Sequence, residues 1–185
     1  MPVLTLNPRS RKPQPFALGL IALALTLPAA AAGASTPAGE QAFIDLFRGS
    51  WAGAGTVLKF SAPLTVSCRA VGRPTTNRVV IDGSCSVSII SVRIGADITY
   101  DPQADRYTGT YIGAKVGPAR VVGKRTGSTV NLAITWPKPV NGDTSARMTI
   151  ENAGKGSLHL TIFDNLVPGG PEKKTTDVTL GWGLK

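Results

Sequence analysis

Thr129-Val130-Asn131-Leu132-Ala133-Ile134-Thr135-Trp136 alternates small or polar residues with Val130, Leu132, Ile134 and Trp136. Side chains on a strand point to opposite faces in turn, so this period of two puts one face in a core and the other toward solvent. The same period recurs outward in both directions. Met148 and Ile150 alternate with Arg147 and Thr149. Leu158, Leu160 and Ile162 alternate with Ser157, His159 and Thr161. Val178, Leu180, Trp182 and Leu184 alternate with Asp177, Thr179, Gly181 and Gly183. Turn formers separate the runs: Asp101-Pro102-Gln103-Ala104-Asp105, Arg125-Thr126-Gly127-Ser128, a longer loop from Pro137 through Asn141-Gly142-Asp143, Asn152 to Gly156, and Pro168 to Pro171. The spacing predicts an all-β domain over residues 41–185, a single antiparallel barrel or sandwich of about 9–10 strands.

One segment breaks the pattern. Ala38 to Phe47 carries Phe43, Ile44, Leu46 and Phe47 on one helical face and runs into Gly49. It predicts a short N-terminal helix that covers one barrel end, after a disordered start at residues 35–40. Upstream, Arg9, Arg11 and Lys12 precede an apolar run from Phe16 to Leu27, then Pro28 and the small residues Ala29 to Ala34. That order is the order of a secretory signal peptide over residues 1–34, with cleavage expected after Ala32-Gly33-Ala34. An uncleaved anchor is the competing reading, because Phe16 to Ala34 is just long enough to span a bilayer. The small-residue end suits a peptidase, and alanine and glycine add little insertion energy. The expected address is therefore the periplasm of a Gram-negative bacterium, with membrane contact only through the signal peptide before cleavage.

Composition narrows the function. The 185 residues include 20 Lys plus Arg, 11 Asp plus Glu, one His and two Cys, with 42% hydrophobic residues. That hydrophobic fraction excludes a wholly disordered chain. Residues 1–34 hold three of the positive charges and no negative one, which leaves a basic remainder with its charges dispersed. Lys124-Arg125 and Lys173-Lys174, the adjacent basic pairs, fall in expected turns, as solubilising surface. An exported location argues against a nucleic-acid partner. No metal site is expected: Asp97, Asp101 and Asp105 straddle a strand end and a Pro-containing turn and lack the closing Glu of a calcium loop. His159, on the polar face of its strand, has no nucleophile partner in the pattern.

The two cysteines fit a disulfide. The midpoint between Cys68 and Cys85 falls in Gly72-Arg73-Pro74-Thr75-Thr76-Asn77. A hairpin folded there sets Cys68 opposite Cys85, with Gly83 expected as a bulge. Asp82-Gly83 is the competing turn and would break that register.

Phe47-Arg48-Gly49-Ser50-Trp51-Ala52-Gly53-Ala54-Gly55 opens the first strand. Its Gly-x-Trp start after a short helix resembles the first strand of lipocalins and other calycins, and the wider glycine pattern resembles nitrobindin-type haem barrels. The order signal peptide, Phe-x-Gly-x-Trp-x-Gly-x-Gly, Cys68-Arg69-Ala70, Cys85, then Tyr107-Thr108-Gly109-Thr110-Tyr111 resembles a set of uncharacterised exported proteins of rhizobia and related α-proteobacteria, with Tyr111 in place of their Trp. The resemblances imply an up-and-down, calycin-like periplasmic barrel and supply no catalytic residue.

Together these readings predict a non-enzymatic barrel without a required cofactor. A small apolar ligand is expected in a central cavity lined by Trp51, Tyr100, Tyr111, Leu132, Ile150, Leu160 and Trp182, with Ile89 also pointing inward. Trp51 and Trp182 are expected to be buried neighbours where the barrel closes. Two alternatives stand beside it. One is a structural or interaction module of the envelope with a filled core, acting through a free strand edge or its loops. The other is a haem barrel ligated by His159. An outer-membrane barrel is disfavoured, because the strands look short and irregular.

Overall fold

A computed structural model describes residues 37–59 and 61–183. The signal-peptide reading of residues 1–34 and the position of Leu184 lie outside the described residues. Helix α1 (Pro37–Asp45) leads into ten strands: β1 (Gly49–Lys59), β2 (Ala62–Pro74), β3 (Arg78–Val87), β4 (Ile90–Asp101), β5 (Arg106–Ile112), β6 (Ala119–Thr126), β7 (Thr129–Val140), β8 (Asp143–Asn152), β9 (Ser157–Asn165) and β10 (Glu172–Trp182). Each strand pairs antiparallel with the next, and β1 pairs with β10, so the meander closes into a barrel. Closure leaves no free edge among these strands. An interaction surface based on strand addition is thereby removed.

The period-two pattern does what the sequence indicated. Register places Val130, Leu132, Ile134 and Trp136 of β7 on the inner face, beside Val121 and Ala119 of β6 and Ala146, Met148 and Ile150 of β8. These residues are buried in one apolar cluster. The outer face carries the alternate positions, such as Ser67, Arg69 and Arg73 of β2 or Ser145, Arg147 and Glu151 of β8, all exposed.

Barrel closure needs tight coiling, and Gly53 permits it. A Cβ at Gly53 would lie 2.1 Å from the Thr179 carbonyl oxygen of β10. Any side chain there would push β1 away from the strand that closes the barrel.

Several details differ from expectation. The helix starts at Pro37, so residues 37–40 are ordered helix and not a disordered start, and Glu40 is buried. Pro137 and Pro139 lie within β7, whose pairing with β8 shifts register between Thr135 and Val140. The loop expected there reduces to the turn at Asn141-Gly142. Cys68 and Cys85 are direct register partners and are bonded, with Cα atoms 4.0 Å apart. Gly83 is not a bulge: β2 and β3 stay in continuous register through its partner Ala70. The strands run from 7 to 13 residues, longer than the alternation alone suggested.

Candidate functional site

The two barrel ends differ. At one end α1 closes the interior. Phe43, Ile44 and Phe47 sink into the core cluster, and Leu46 stays partly exposed. The Trp51 indole donates to the Phe47 carbonyl at 3.0 Å, and the Asn152 amide donates to the Leu46 carbonyl at 3.1 Å. Glu40, 1% exposed, receives the Arg125 guanidinium through Nε and Nη2 at 3.0 and 2.8 Å and the Tyr107 hydroxyl. Arg125 also lies over the Phe43 ring, 4.8 Å from its centroid. Burial first, and then the bond to Glu40, pushes the Tyr107 hydroxyl far above its usual range. Arg125 therefore belongs to β6 as a partly buried latch, not to an exposed turn. Glu40, Arg125 and Tyr107 satisfy one another and fasten the helix, while Gln41 Oε1 of the same helix is buried without a hydrogen bond.

Of the expected cavity residues, Trp51, Tyr100, Tyr111, Leu132 and Ile150 are all buried in the core cluster, and Leu160 packs against it. They lie in, or against, the apolar core of the barrel. Trp182 is the register partner of Trp51 and stacks on it with centroids 6.3 Å apart, as barrel closure requires. It is nevertheless 66% exposed, because it ends the last strand at the rim. Ile89 is 97% exposed at the β3–β4 turn and does not point inward. Two open concavities of about 490 and 570 Å³ lie on the outer face of β1–β3, around Ala52, Ser67, Arg69 and Ser84. Neither is the expected internal cavity.

The opposite end, the mouth, is built differently. Register puts Val57, Leu64, Val87, Val92 and Ile94 of β1–β4 on the inner face, yet all five keep partial exposure. Across the mouth, β5, β7 and β9 present Tyr111, Trp136 and Asp164 from the inner face. Ala119 of β6 and Ala146 of β8 are the small residues between them. The Tyr111 and Trp136 rings lie 6.1 Å apart. Burial pushes the Tyr111 hydroxyl up to about 12. That hydroxyl lies over Gly113, where a Cβ would come within 2.0 Å of it. Glycine at 113 thus lets the β5–β6 connection fold down onto the ring, and Ala114 and Val116 of that connection pack against the core.

Two polar atoms at this end lack a partner. Trp136 Nε1 and Asp164 Oδ1 are both buried and make no hydrogen bond, although Trp136 is 4% and Asp164 3% exposed. Buried polar groups are ordinarily satisfied, and leaving one unmade is costly. Burial raises the Asp164 carboxyl to about 6; bonds from the Asn165 amide and the Asn141 side chain oppose the rise, and Asp143 and Glu172 add to it. A carboxyl raised by burial beside a buried group without a partner makes Asp164 and Trp136 candidates for a functional site.

The signals for these residues were weak in the chain. Trp136 is the last apolar residue of the alternation in β7, and Asp164 continues the inward parity of Leu158, Leu160 and Ile162. A charged residue in an apolar register is the legible clue. Asp97, Asp101 and Asp105 serve the outer surface and a turn: Asp97 binds Arg78, Asp101 accepts from the Gln103 and Ala104 amides, and Asp105 binds Tyr100 and Lys124. No group of His, Cys, Asp and Glu side chains suited to a metal ion occurs among the described residues. His159 faces outward and bonds Asp177 at 2.7 Å, so it cannot reach a group held inside the barrel.

The raised carboxyl has a consequence for stability. Between about pH 4 and pH 6 the folded protein holds the Asp164 proton and the unfolded chain releases it, so stability falls as pH rises through that window. Asp164→Asn is expected to abolish this slope and to raise stability at pH 7.5 by about 1–3 kcal/mol. Urea unfolding of both proteins from pH 4.5 to 8 checks this, and parallel curves would refute it.

No family model and no curated protein matches the chain. Among solved structures, the crystal structure of Rv2717c from M. tuberculosis is similar to it. The match covers 76% of this chain and 95% of that one, with a TM-score of 0.60 and 14% sequence identity. At that identity the likeness shows the fold alone: a closed up-and-down β-barrel.

Proposed function

We propose that the chain is exported to the periplasm of a Gram-negative bacterium and acts there without catalysis, binding a small, largely apolar ligand at the barrel mouth. The observation that carries this is the set of part-exposed inner-face aliphatics at the mouth, Val57, Leu64, Val87 and Val92, at the barrel end that also holds the buried, unpartnered Trp136 Nε1 and Asp164 Oδ1. Ligand sites are mostly apolar with a few placed polar groups, and the mouths of β-barrels are a preferred place for them. The Gly-x-Trp start that resembles ligand-carrying calycins supports the same reading. The Cys68–Cys85 disulfide is compatible with an oxidising compartment. Among the described residues no helix is long and apolar enough to cross a membrane. The outer face is polar, the reverse of a membrane barrel's lipid-facing band. His159 on that face gives the haem alternative no axial ligand from within.

The packed centre favours a second reading, an envelope module whose barrel is only a scaffold. Native mass spectrometry of protein purified from its own envelope separates the two. The expected spectrum shows a mature chain beginning at Ser35 and carrying the added mass of a small molecule. A bare chain under conditions that preserve non-covalent complexes would favour the scaffold reading.

A further inference from the structure

The antiparallel meander puts the β1–β2, β3–β4, β5–β6, β7–β8 and β9–β10 connections all at the mouth end. Apolar side chains stand out from two of them. Ile89, at the tip of the β3–β4 turn, is almost fully exposed, and Ile90 and Val167 are exposed as well. Folding does not call for isoleucine at 89. It shares a two-residue turn with Ser88 between the register partners Val87 and Ile90, and Ser88 takes a φ of 53°. Such turns are ordinarily built of Gly, Asn, Asp or Ser, and an isoleucine at the tip buries nothing. At the capped end, by contrast, the turn residues are polar or small, and the exposed Leu46 and Trp182 rest against Gly154 and Trp51.

The mouth rim is also basic. Lys59 ends β1, Lys115 lies in the β5–β6 connection, Lys138 near the end of β7 and Lys173 near the start of β10, and all are exposed. Lys115, Lys138 and Lys173 pair with no carboxylate among the described residues. Around the barrel the order is Val167 and Lys173, Lys59, Ile89 and Ile90, Lys115, then Lys138, so lysines flank the apolar tips. The carboxylates at this end are engaged or sunk: Glu172 accepts from Arg147 at 2.8 Å, Asp143 from the Asn165 amide at 2.9 Å, and Asp164 is buried.

We propose that this rim docks on an anionic lipid bilayer, with Ile89, Ile90 and Val167 entering the acyl boundary and the lysines lying among the headgroups. The apolar tips gain by leaving water, and each lysine adds attraction to an anionic leaflet. The tips are spread around a ring, and a fluid planar surface meets them without the shape complementarity that a protein partner needs. Docking by the tips holds the barrel on the surface and requires no lipid-facing band on its outer wall. It does not depend on a ligand in the mouth.

Vesicle flotation of the chain purified from its own envelope tests this, at low salt, with phosphatidylcholine alone and with equal parts of phosphatidylcholine and phosphatidylglycerol. Binding to the phosphatidylglycerol vesicles is expected to be at least about tenfold tighter. Ile89→Ser with Ile90→Ser, both on the exposed turn, should weaken it at least about tenfold. Lys115→Gln, Lys138→Gln and Lys173→Gln together should cut the anionic preference at least about fivefold. Arg106→Gln with Lys155→Gln, at the capped end, should change binding by less than about twofold. No binding, equal binding to both vesicles, or binding untouched by the isoleucine substitutions would overturn the proposal. So would self-association that those substitutions abolish in a chain that ignores vesicles, because the tips would then belong to a contact with a second copy.

Discussion

Glu40→Ala is expected to destabilise the protein by about 3–5 kcal/mol. The substitution leaves the Arg125 guanidinium, with its side chain 16% exposed, without the carboxylate that satisfies it, and strips the Tyr107 hydroxyl of its acceptor. A buried pair is weak evidence of net stability, but removing one partner leaves an uncompensated charge. The same logic predicts strong coupling. Arg125→Ala alone should cost a similar amount, and the double variant should cost much less than the sum. Loss of the latch should also loosen α1, which holds Phe43, Ile44 and Phe47 in the core. Denaturant unfolding of the two single variants and the double variant measures the coupling. Additive losses would show that the helix is held by its apolar face alone.

Reducing the Cys68–Cys85 bond, or replacing both residues by Ser, is expected to lower stability by about 3 kcal/mol, from a loop with a sequence separation of 17. The origin is chiefly the unfolded chain, which regains the freedom that the link removes. Folded barrels with and without the bond should therefore have near-identical far-ultraviolet circular dichroism spectra while their urea midpoints differ. The β2–β3 hairpin already holds the two residues in register, so the fold does not need the bond to find its pairing. Equal midpoints for the oxidised and reduced forms would contradict this account.

The sequence made the barrel legible because a period of two is hard to disguise. Val130 to Trp136 and Val178 to Trp182 declare their inner faces without help from any distant residue, and the cysteine midpoint located a hairpin turn between β2 and β3. The apolar helix face before Gly49 likewise announced a plug. Less was legible of the site. The large inward side chains, Trp51, Tyr100, Leu132 and Ile150, are read from the sequence as the lining of a cavity, and in the structure they are buried in the core cluster. Hollow and packed interiors share one inward pattern, and only the packing distinguishes them. Trp182 has inward parity, yet strand ends emerge at the rim, and alternation carries no information about where a strand leaves the core. Glu40 and Arg125 are separated by 85 positions, so neither residue signals the other. Asp164 is a single acidic residue in an apolar register, a sign visible in the chain only once the strand's phase is known.

The ligand is expected at the mouth and not at the helix-capped end. The chain has three tryptophans, and each reports a different place. Trp51 has its indole bonded to Phe47 at the capped end, Trp182 lies exposed at that rim, and Trp136 lies at the mouth without a partner. A two-dimensional ¹H–¹⁵N spectrum of the indole N–H groups, recorded during titration with 1-octanol, reads all three at once. The expected result is a saturable downfield shift of the Trp136 proton as it gains an acceptor, with Trp51 and Trp182 unmoved. A shift confined to Trp51 or Trp182, with Trp136 constant at saturation, would contradict it.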